Sequence, residues 1–276
     1  MLAIKDWLKS ASYQLSDTSI PTSRLDAEII LAYILGKNRT YLHTHGSDVL
    51  DAKIISIANK YLAQRLDRVP IAYIIGYKEF YGRQFITTPA VLIPRPESES
   101  IIDILKKILL TTTYQLLTTK LIDVGTGSGC LGITAKLEFP ALDVILTDVS
   151  TDALKVATLN AKELSADVAT LQSDLLQNYT TKPDIIIANL PYVDQTWERS
   201  PETNHEPALA LFADNHGQSI IEKMIVQASD LLTPDGFIII EADPSQHSPL
   251  IKYAEKQSLT PIHHLGYAIA FRTKNL

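Results

Sequence analysis

Asn189-Leu190-Pro191-Tyr192 follows the apolar run Asp184-Ile185-Ile186-Ile187 and sets an amide, a restricted backbone and a phenol where a buried strand should end. In an open α/β sheet that point faces the ligand crevice. The residue types suit one chemical problem, the activation of a planar NH₂ whose lone pair is delocalised. Two acceptors that hold both N–H groups turn the nitrogen toward an electrophile and favour the charge developing on it. The side-chain oxygen of Asn189 supplies one acceptor and the backbone carbonyl of Leu190 the other. Pro191 keeps residue 190 extended, and Tyr192 offers a flat face to an amide or a base. Standing alone, Asn-x-Pro-Tyr also reads as a turn that only ends a strand.

The partner of that NH₂ is suggested by Asp123-Val124-Gly125-Thr126-Gly127-Ser128-Gly129, which follows a strand and opens a helix. Three glycines allow a sharp turn and a close backbone approach to a ligand. Their G-x-G-x-G spacing differs from the G-x-G-x-x-G of dinucleotide sites, and no G-K-[ST] follows as in a P-loop. Asp148, at the end of the next strand, can accept both hydroxyls of a ribose. Asp174, after the third strand, can accept from an adenine amino group, with Leu175 against the ring. A nucleoside site without phosphate contacts fits S-adenosylmethionine better than NAD or ATP. Separately, Asp148 reads as a helix N-cap and Asp174 as a turn residue; their placement at successive strand ends joins them to the glycine turn.

These positions need a framework of strands and helices. Residues 1 to about 75 show helical spacing, with Leu25, Ile29, Ile30, Tyr33 and Ile34 in one set and Ile54, Ile55, Ala58, Tyr61 and Leu62 in another. Residues 76–96, with a run to Phe85 and then Val91-Leu92-Ile93, read as a β-hairpin linker stopped by Pro94 and Pro96. From 97 to 276 strands and helices alternate: helix 101–110, strand 121–124, helix 130–137, strand 144–147, helix 152–164, strands near 168–171 and ending at 189, helix 219–231 and strand 237–241. Residues 262–264 and 268–272 can pair antiparallel around Gly266. Such alternation predicts an α/β fold with a mostly parallel sheet and helices on both faces.

Of the 276 residues, 46% are hydrophobic, enough for a well-buried core. Lys and Arg number 25 against 31 Asp and Glu, a net charge of −6 that gives no overall attraction to a polyanion. The start, MLAIKDWLKSASYQL, breaks its apolar pattern with Lys5, Asp6 and Lys9, so it reads as an amphipathic helix and not a signal segment. A cytoplasmic protein with no membrane partner and no stably bound nucleic acid is expected, as is a monomer. The single cysteine, Cys130, rules out an internal disulfide framework and reads as a small buried apolar residue. No metal is expected, since His43, His45, His263 and His264 lack partners at ligand spacing.

The sequence resembles the PrmC/HemK family, the protein-(glutamine-N5) methyltransferases that modify the Gln of the Gly-Gly-Gln motif in class 1 peptide chain release factors. The likeness is carried by Arg68-Val69-Pro70-Ile71-Ala72-Tyr73-Ile74-Ile75-Gly76, Glu79-Phe80-Tyr81-Gly82, Leu92-Ile93-Pro94-Arg95-Pro96-Glu97-Ser98-Glu99, the glycine turn, Asn189 to Tyr192 and Glu206-Pro207-Ala208-Leu209-Ala210-Leu211. It implies a Rossmann-like class I methyltransferase domain with a seven-stranded sheet, preceded by a small helical domain that helps grip the release factor. It implies cofactor contacts from Gly125, Thr126, Gly127, Ser128, Gly129, Asp148, Leu175 and Asn189, to which the strand-end reading adds Asp174, with S-adenosylhomocysteine as co-product. Catalysis is expected from Asn189, Pro191 and Tyr192, and substrate binding from these with Leu190, Arg95 and Glu97. Arg95 and Glu97 also read as plain surface charges.

One departure stands out: the family pattern is Asn-Pro-Pro-Tyr, and here the second position is Leu190. The Asn-Leu-Pro-Tyr form is similar to that of ribosomal RNA adenine dimethyltransferases. The change is mild if position 190 contributes its carbonyl, because Pro191 still restricts it. Three other readings stay open: action on a ribosomal-protein glutamine, N6-adenine methylation of nucleic acid, and a cofactor-binding module without turnover.

Overall fold

The computed structural model describes residues 2–111 and 119–274. The chain divides into two compact units, Met1–Gly76 with Arg199–His205, and Tyr77–Glu198 with Glu206–Leu276.

The first unit is helical, with α1 (Ile4–Asp17), α2 (Ser23–Leu35), α3 (Arg39–Thr44), α4 (Ala52–Leu66) and α5 (Ile71–Ile75). Trp7, Ala11 and Leu15 of α1, Ala27, Ile30 and Leu31 of α2, and Ala58 and Leu62 of α4 share one buried cluster, each set at helical spacing. The apolar stripe expected on α2 is out of phase. Leu25 and Tyr33 are exposed, and the inward face instead carries Asp26 and Glu28 beside Ala27 and Leu31. Two buried acids there are masked in a pattern that counts only apolar side chains. Gly36 closes α2 in the left-handed conformation, φ +63°; Asn38 and Asp51 cap α3 and α4 by accepting from the backbone N–H groups of Tyr41 and Lys53.

The second unit opens with β1 (Tyr77–Phe80) and β2 (Arg83–Ile86), an antiparallel hairpin. Its turn residues Tyr81 and Gly82 both have positive φ, +50° and +72°, as a two-residue hairpin turn requires. This segment is no free linker: Phe80 and Phe85 are 1% and 0% exposed within the core of the α/β unit. Val91–Ile93, expected as strand, is not one.

The chain continues through α6 (Glu99–Thr111), β3 (Lys120–Val124), α7 (Cys130–Glu138), β4 (Asp143–Asp148), α8 (Thr151–Glu163), β5 (Ala169–Gln172), β6 (Ile185–Ala188), α9 (Ala208–Leu211), α10 (Ser219–Leu231), β7 (Phe237–Glu241), α11 (Pro244–Lys256), β8 (Leu259–Leu265) and β9 (Ala268–Thr273). Seven strands form one sheet in the order β5-β4-β3-β6-β7-β9-β8. β3 to β7 run parallel, and β9 and β8 are antiparallel at the edge. The fold is therefore α/β and Rossmann-like, as expected.

The apolar strands bury both faces by simple alternation. Ile185 and Ile187 join Ile101, Leu105, Leu131 and Ala157 from α6, α7 and α8 on one face. Ile186 and Ala188 join Ile221, Met224 and Leu250 from α10 and α11 on the other. Helix α11 lies outside the sequence-based reading, because Pro249 interrupts its pattern. Its start was nonetheless written in the sequence: Asp243 caps the helix and Gln246 bonds back to the Asp243 N–H, a capping box with Pro244 in the first turn. Among the described residues no helix is long and apolar enough to cross a membrane.

Candidate active site

From β3 the chain moves outward to β4 and β5, then returns to β6 on the other side of β3. The crevice at this reversal is where open α/β sheets bind ligands. The glycine turn leaves the end of β3 and Asn189 to Tyr192 leaves the end of β6, so the two motifs meet there. Between them lies a cavity of about 490 Å³ lined by Arg95, Ser98, Gly125 to Ser128, Asp148, Asp174, Leu175 and Asn189 to Pro191, among others. That volume suits a ligand of nucleoside size.

The turn is organised from below by Asp123, 0% exposed. Its Oδ2 accepts from Thr126 Oγ1 at 2.6 Å and Gly132 N at 2.9 Å. Burial pushes this carboxyl up to about 6, against the lowering by Thr126 and Gly132. The glycines do different work. A Cβ at Gly125 would lie 2.8 Å from Leu190 Cδ2, so this glycine lets the two motifs close on each other. A Cβ at Gly129 would lie 2.6 Å from Ile133 Cδ1; it belongs to the strand-to-helix joint and not to the cavity lining. Gly127, at φ +54°, has nothing within 4 Å of that position and presents open backbone.

Asp148 ties the turn to β4. Its Oδ2 accepts from Gly127 N and its Oδ1 from Ser150 N, both at 2.9 Å. The helix N-cap here is Ser150, so Asp148 keeps acceptor capacity on each oxygen. Burial raises its pKa, with the Ser150 and Gly127 N–H groups opposing. Asp174 lies at the more open rim, its Oδ2 2.9 Å from Lys223 Nζ.

In the Asn189 turn, Asn189 Nδ2 donates to Ser98 Oγ at 2.9 Å. That spends the donor end of the amide, and among the described residues neither Asn189 Oδ1 nor the Leu190 carbonyl accepts a hydrogen bond. Tyr192 is placed differently from expectation: it is not part of the cavity lining. Its hydroxyl donates to Glu241 Oε1 at 3.0 Å, and its ring packs against the hydrophobic cluster of α10 and α11. Burial and then the Glu241 charge drive its pKa upward. Its carbonyl accepts from Gln246 Nε2 at 2.9 Å.

Arg95 lines the cavity and pairs with Glu206 at 2.5 Å, while Glu206 Oε2 accepts from Ile93 N at 3.1 Å. Glu206 thus buttresses the Ile93–Arg95 wall. Glu97 is exposed and outside the lining. Cys130 is half-buried and belongs to the cavity lining, its thiol pushed up to about 12 by burial. Sequence reasoning missed Ser98, Glu241 and Gln246 as parts of the site. Only the polar ending of the Phe237–Glu241 apolar strand hinted at Glu241.

The PrmC N-terminal domain family matches residues 6–76, and the methyltransferase small domain family matches residues 84–206. The release factor glutamine methyltransferase of Koribacter versatilis is 35% identical over 256 residues, 90% of this chain and 89% of that protein. The chain belongs to the release factor glutamine methyltransferase family. It is also 36% identical to a bifunctional methyltransferase of Rickettsia felis over 87% of its own length, spanning only 51% of that larger protein. Among solved structures, a 16S rRNA methyltransferase of T. thermophilus in complex with AdoMet and guanosine matches with a TM-score of 0.53 at 17% identity, covering 72% of this chain and 50% of that one. At that identity the likeness is one of fold. Family membership makes the chain a methyltransferase, and the cavity fits the nucleoside-type cofactor of such enzymes: Gly127 leaves room along the backbone, and Asp148 retains free acceptor positions beside it.

Proposed function

We propose that this protein transfers a methyl group from S-adenosylmethionine to the side-chain amide nitrogen of the Gly-Gly-Gln glutamine in a class 1 release factor, the substrate class named for its relatives. The observation that supports the reading most is the orientation of Asn189, whose NH₂ is taken by Ser98 while its oxygen and the Leu190 carbonyl keep open acceptor positions.

Gly125 to Ser128, Asp148, Asp174 and Leu175 would hold the cofactor, which supplies a methyl carbon activated by its sulfonium. Asn189 Oδ1 and the Leu190 carbonyl accept the two N–H bonds of the glutamine amide and fix the nitrogen in line with that carbon. The same two oxygens face the positive charge that grows on the nitrogen as its lone pair is used, so they bind the transition state better than the ground state, and one of the two amide protons is released to water as the N-methyl amide forms. Pro191 holds residue 190 so that its carbonyl keeps this direction. Leu190 in place of proline leaves the carbonyl available and fills the space above Gly125 with its side chain. Arg95, braced by Glu206, borders the route by which the glutamine enters.

The test is incubation with labelled S-adenosylmethionine and, separately, an intact release factor, the same factor with its motif glutamine replaced, and ribosomal RNA. Label is expected in the intact factor alone. Label in RNA, or in the factor lacking its glutamine, overturns the assignment.

A further inference from the structure

The turn that carries the two substrate acceptors is held at both ends. At its start Ala188 sits in β6 between Val124 and Ile240. At its far end Val193 N donates to the Leu211 carbonyl at 3.0 Å, and Ala213 N donates to the Val193 carbonyl at 3.3 Å. Between these points Pro191 has no N–H to give, and among the described residues the Leu190 carbonyl accepts no hydrogen bond. The direction of that carbonyl therefore depends on where Tyr192 is fixed.

Gln246 fixes it. This side chain, 3% exposed at the start of α11, uses its whole amide. Its Oε1 accepts from Asp243 N at 3.1 Å, and its Nε2 donates to the Tyr192 carbonyl at 2.9 Å and to the His216 carbonyl at 2.8 Å. One N–H on one side and two carbonyls on the other leave the amide a single orientation. A capping box takes Glu as readily as Gln at this position, but a carboxylate has no proton for either carbonyl. The two carbonyls, and not the helix, require Gln here.

The second carbonyl belongs to a constrained segment. Asn215, His216 and Gly217 are three successive left-handed residues, with φ of +55°, +54° and +80°. Such a run persists only where surrounding contacts impose it. It packs directly on the substrate turn, since a Cβ at Gly217 would overlap the Tyr192 carbonyl oxygen. His216 Nδ1 also lies 3.3 Å from Oδ2 of Asp194, just beyond Val193.

Resting on the proposed reaction for its functional consequence, we propose that Gln246 is a positioning residue: by clasping the Tyr192 and His216 carbonyls together it sets the direction of the Leu190 carbonyl that receives the substrate amide. It lies outside the cavity lining and does not touch the reacting atoms.

Two variants remove the donors. Gln246→Glu keeps the acceptor for Asp243, and Gln246→Met buries no charge. Asp243→Ala is the control for stability, because it takes the cap from α11 and leaves both carbonyl bonds in place. Tyr192-Val193 is the only Tyr-Val step in the chain, so full-length protein with isotope labels at tyrosine carbonyls and valine nitrogens gives one carbonyl-to-amide cross-peak that reports on the Tyr192 carbonyl. Both Gln246 variants are expected to move that cross-peak and to lower kcat on the release factor about tenfold or more, with cofactor affinity within about threefold of the parent's. Asp243→Ala is expected to lower Tm while its cross-peak and kcat stay at the parent values.

A cross-peak unmoved in both Gln246 variants overturns the proposal, as does a moved cross-peak with kcat near the parent's. So does a loss of kcat in Asp243→Ala that matches the loss in Gln246→Met at equal loss of Tm, the mark of general damage to the fold. If the parent labels no release factor and the cross-peak still moves, Gln246 keeps its anchoring role and the proposed reaction falls.

Discussion

The two units bury acidic groups in opposite ways. In the helical unit Arg65, 5% exposed, donates to Asp26 at 2.7 Å and to Glu202 at 2.8 Å, and Arg68 reaches Glu202 at 3.1 Å. Glu28, its side chain 3% exposed, is met by Arg24, Arg39 and His43. Burial raises the pKa of Glu28 and Glu202, but the arginines, with Ser200 for Glu202, outweigh it and both carboxyls end below their ordinary range. Around the cavity, the hydrogen-bond partners of Asp123, Asp148 and Glu241 among the described residues are backbone N–H groups and hydroxyls, and all three shift upward. An acid that holds a fold together is neutralised by a cation at no functional cost. Asp148 instead keeps acceptor positions that a cation would take up, while Asp174 at the open rim is already paired with Lys223.

Removing one group from each side breaks the comparison most sharply. Asn189→Ala deletes an acceptor of the clamp and is expected to cut turnover by about 10²–10³-fold while cofactor affinity stays within about tenfold, since the contact is made mainly in the transition state. Labelled-methyl incorporation and calorimetric cofactor titration check this; equal turnover in the variant ends the assigned role. In the helical unit, Arg65→Met leaves Asp26 and Glu202 without their main partner and is expected to cost about 3 kcal/mol of that unit's stability, the scale for breaking a buried pair on one side. Chemical denaturation monitored at Trp7 should show it. Cofactor affinity is expected to remain at the parent value.

The same contrast explains how much could be read beforehand. The strand ends at Val124, Asp148 and Ala188 were legible because an apolar run stopped by Gly, Asp or Asn-x-Pro is a local signal, and the position of the cavity follows from putting those ends side by side. Ser98 and Glu241 were not legible as site residues: they lie 91 and 52 positions from Asn189, too far for any periodicity to join them to the turn. The ion pairs of the helical unit were hidden for the same reason, with Arg65 and Glu202 separated by 137 positions. The hairpin's place in the core was missed because Phe80 and Phe85 alternate as any exposed hairpin might; only packing distinguishes the two cases.

Titration sharpens the comparison with smaller effects. Glu202 goes from 4.5 to about 2 on folding, so its contribution is present above 4.5 and is lost as pH falls through about 2. Asp123 moves the other way, from 3.8 to about 6. The folded state then holds its proton more tightly, and this contribution is full below 3.8 and declines as pH rises to about 6. Stability curves across pH 2–7 are expected to flatten at the acid end in Glu202→Gln and between pH 4 and 6 in Asp123→Asn. Identical curves for the parent and both variants would contradict the assignment of these groups.

The finest test uses two glycines with matched backbones. Gly36 at φ +63° in the helical unit and Gly127 at φ +54° in the cavity both face open space, so neither position meets a neighbour on gaining a Cβ. An alanine at either site should therefore cost only the left-handed strain, about 1 kcal/mol, read by denaturation. The space beside Gly36 is solvent against a helix end, whereas the space beside Gly127 belongs to the cavity lining. Gly127→Ala is thus expected to weaken cofactor binding well beyond its stability loss, and Gly36→Ala to leave binding unchanged. Equal binding in the two variants would mean that the open backbone of Gly127 is a turn requirement alone, as at Gly36, and not room kept for a ligand.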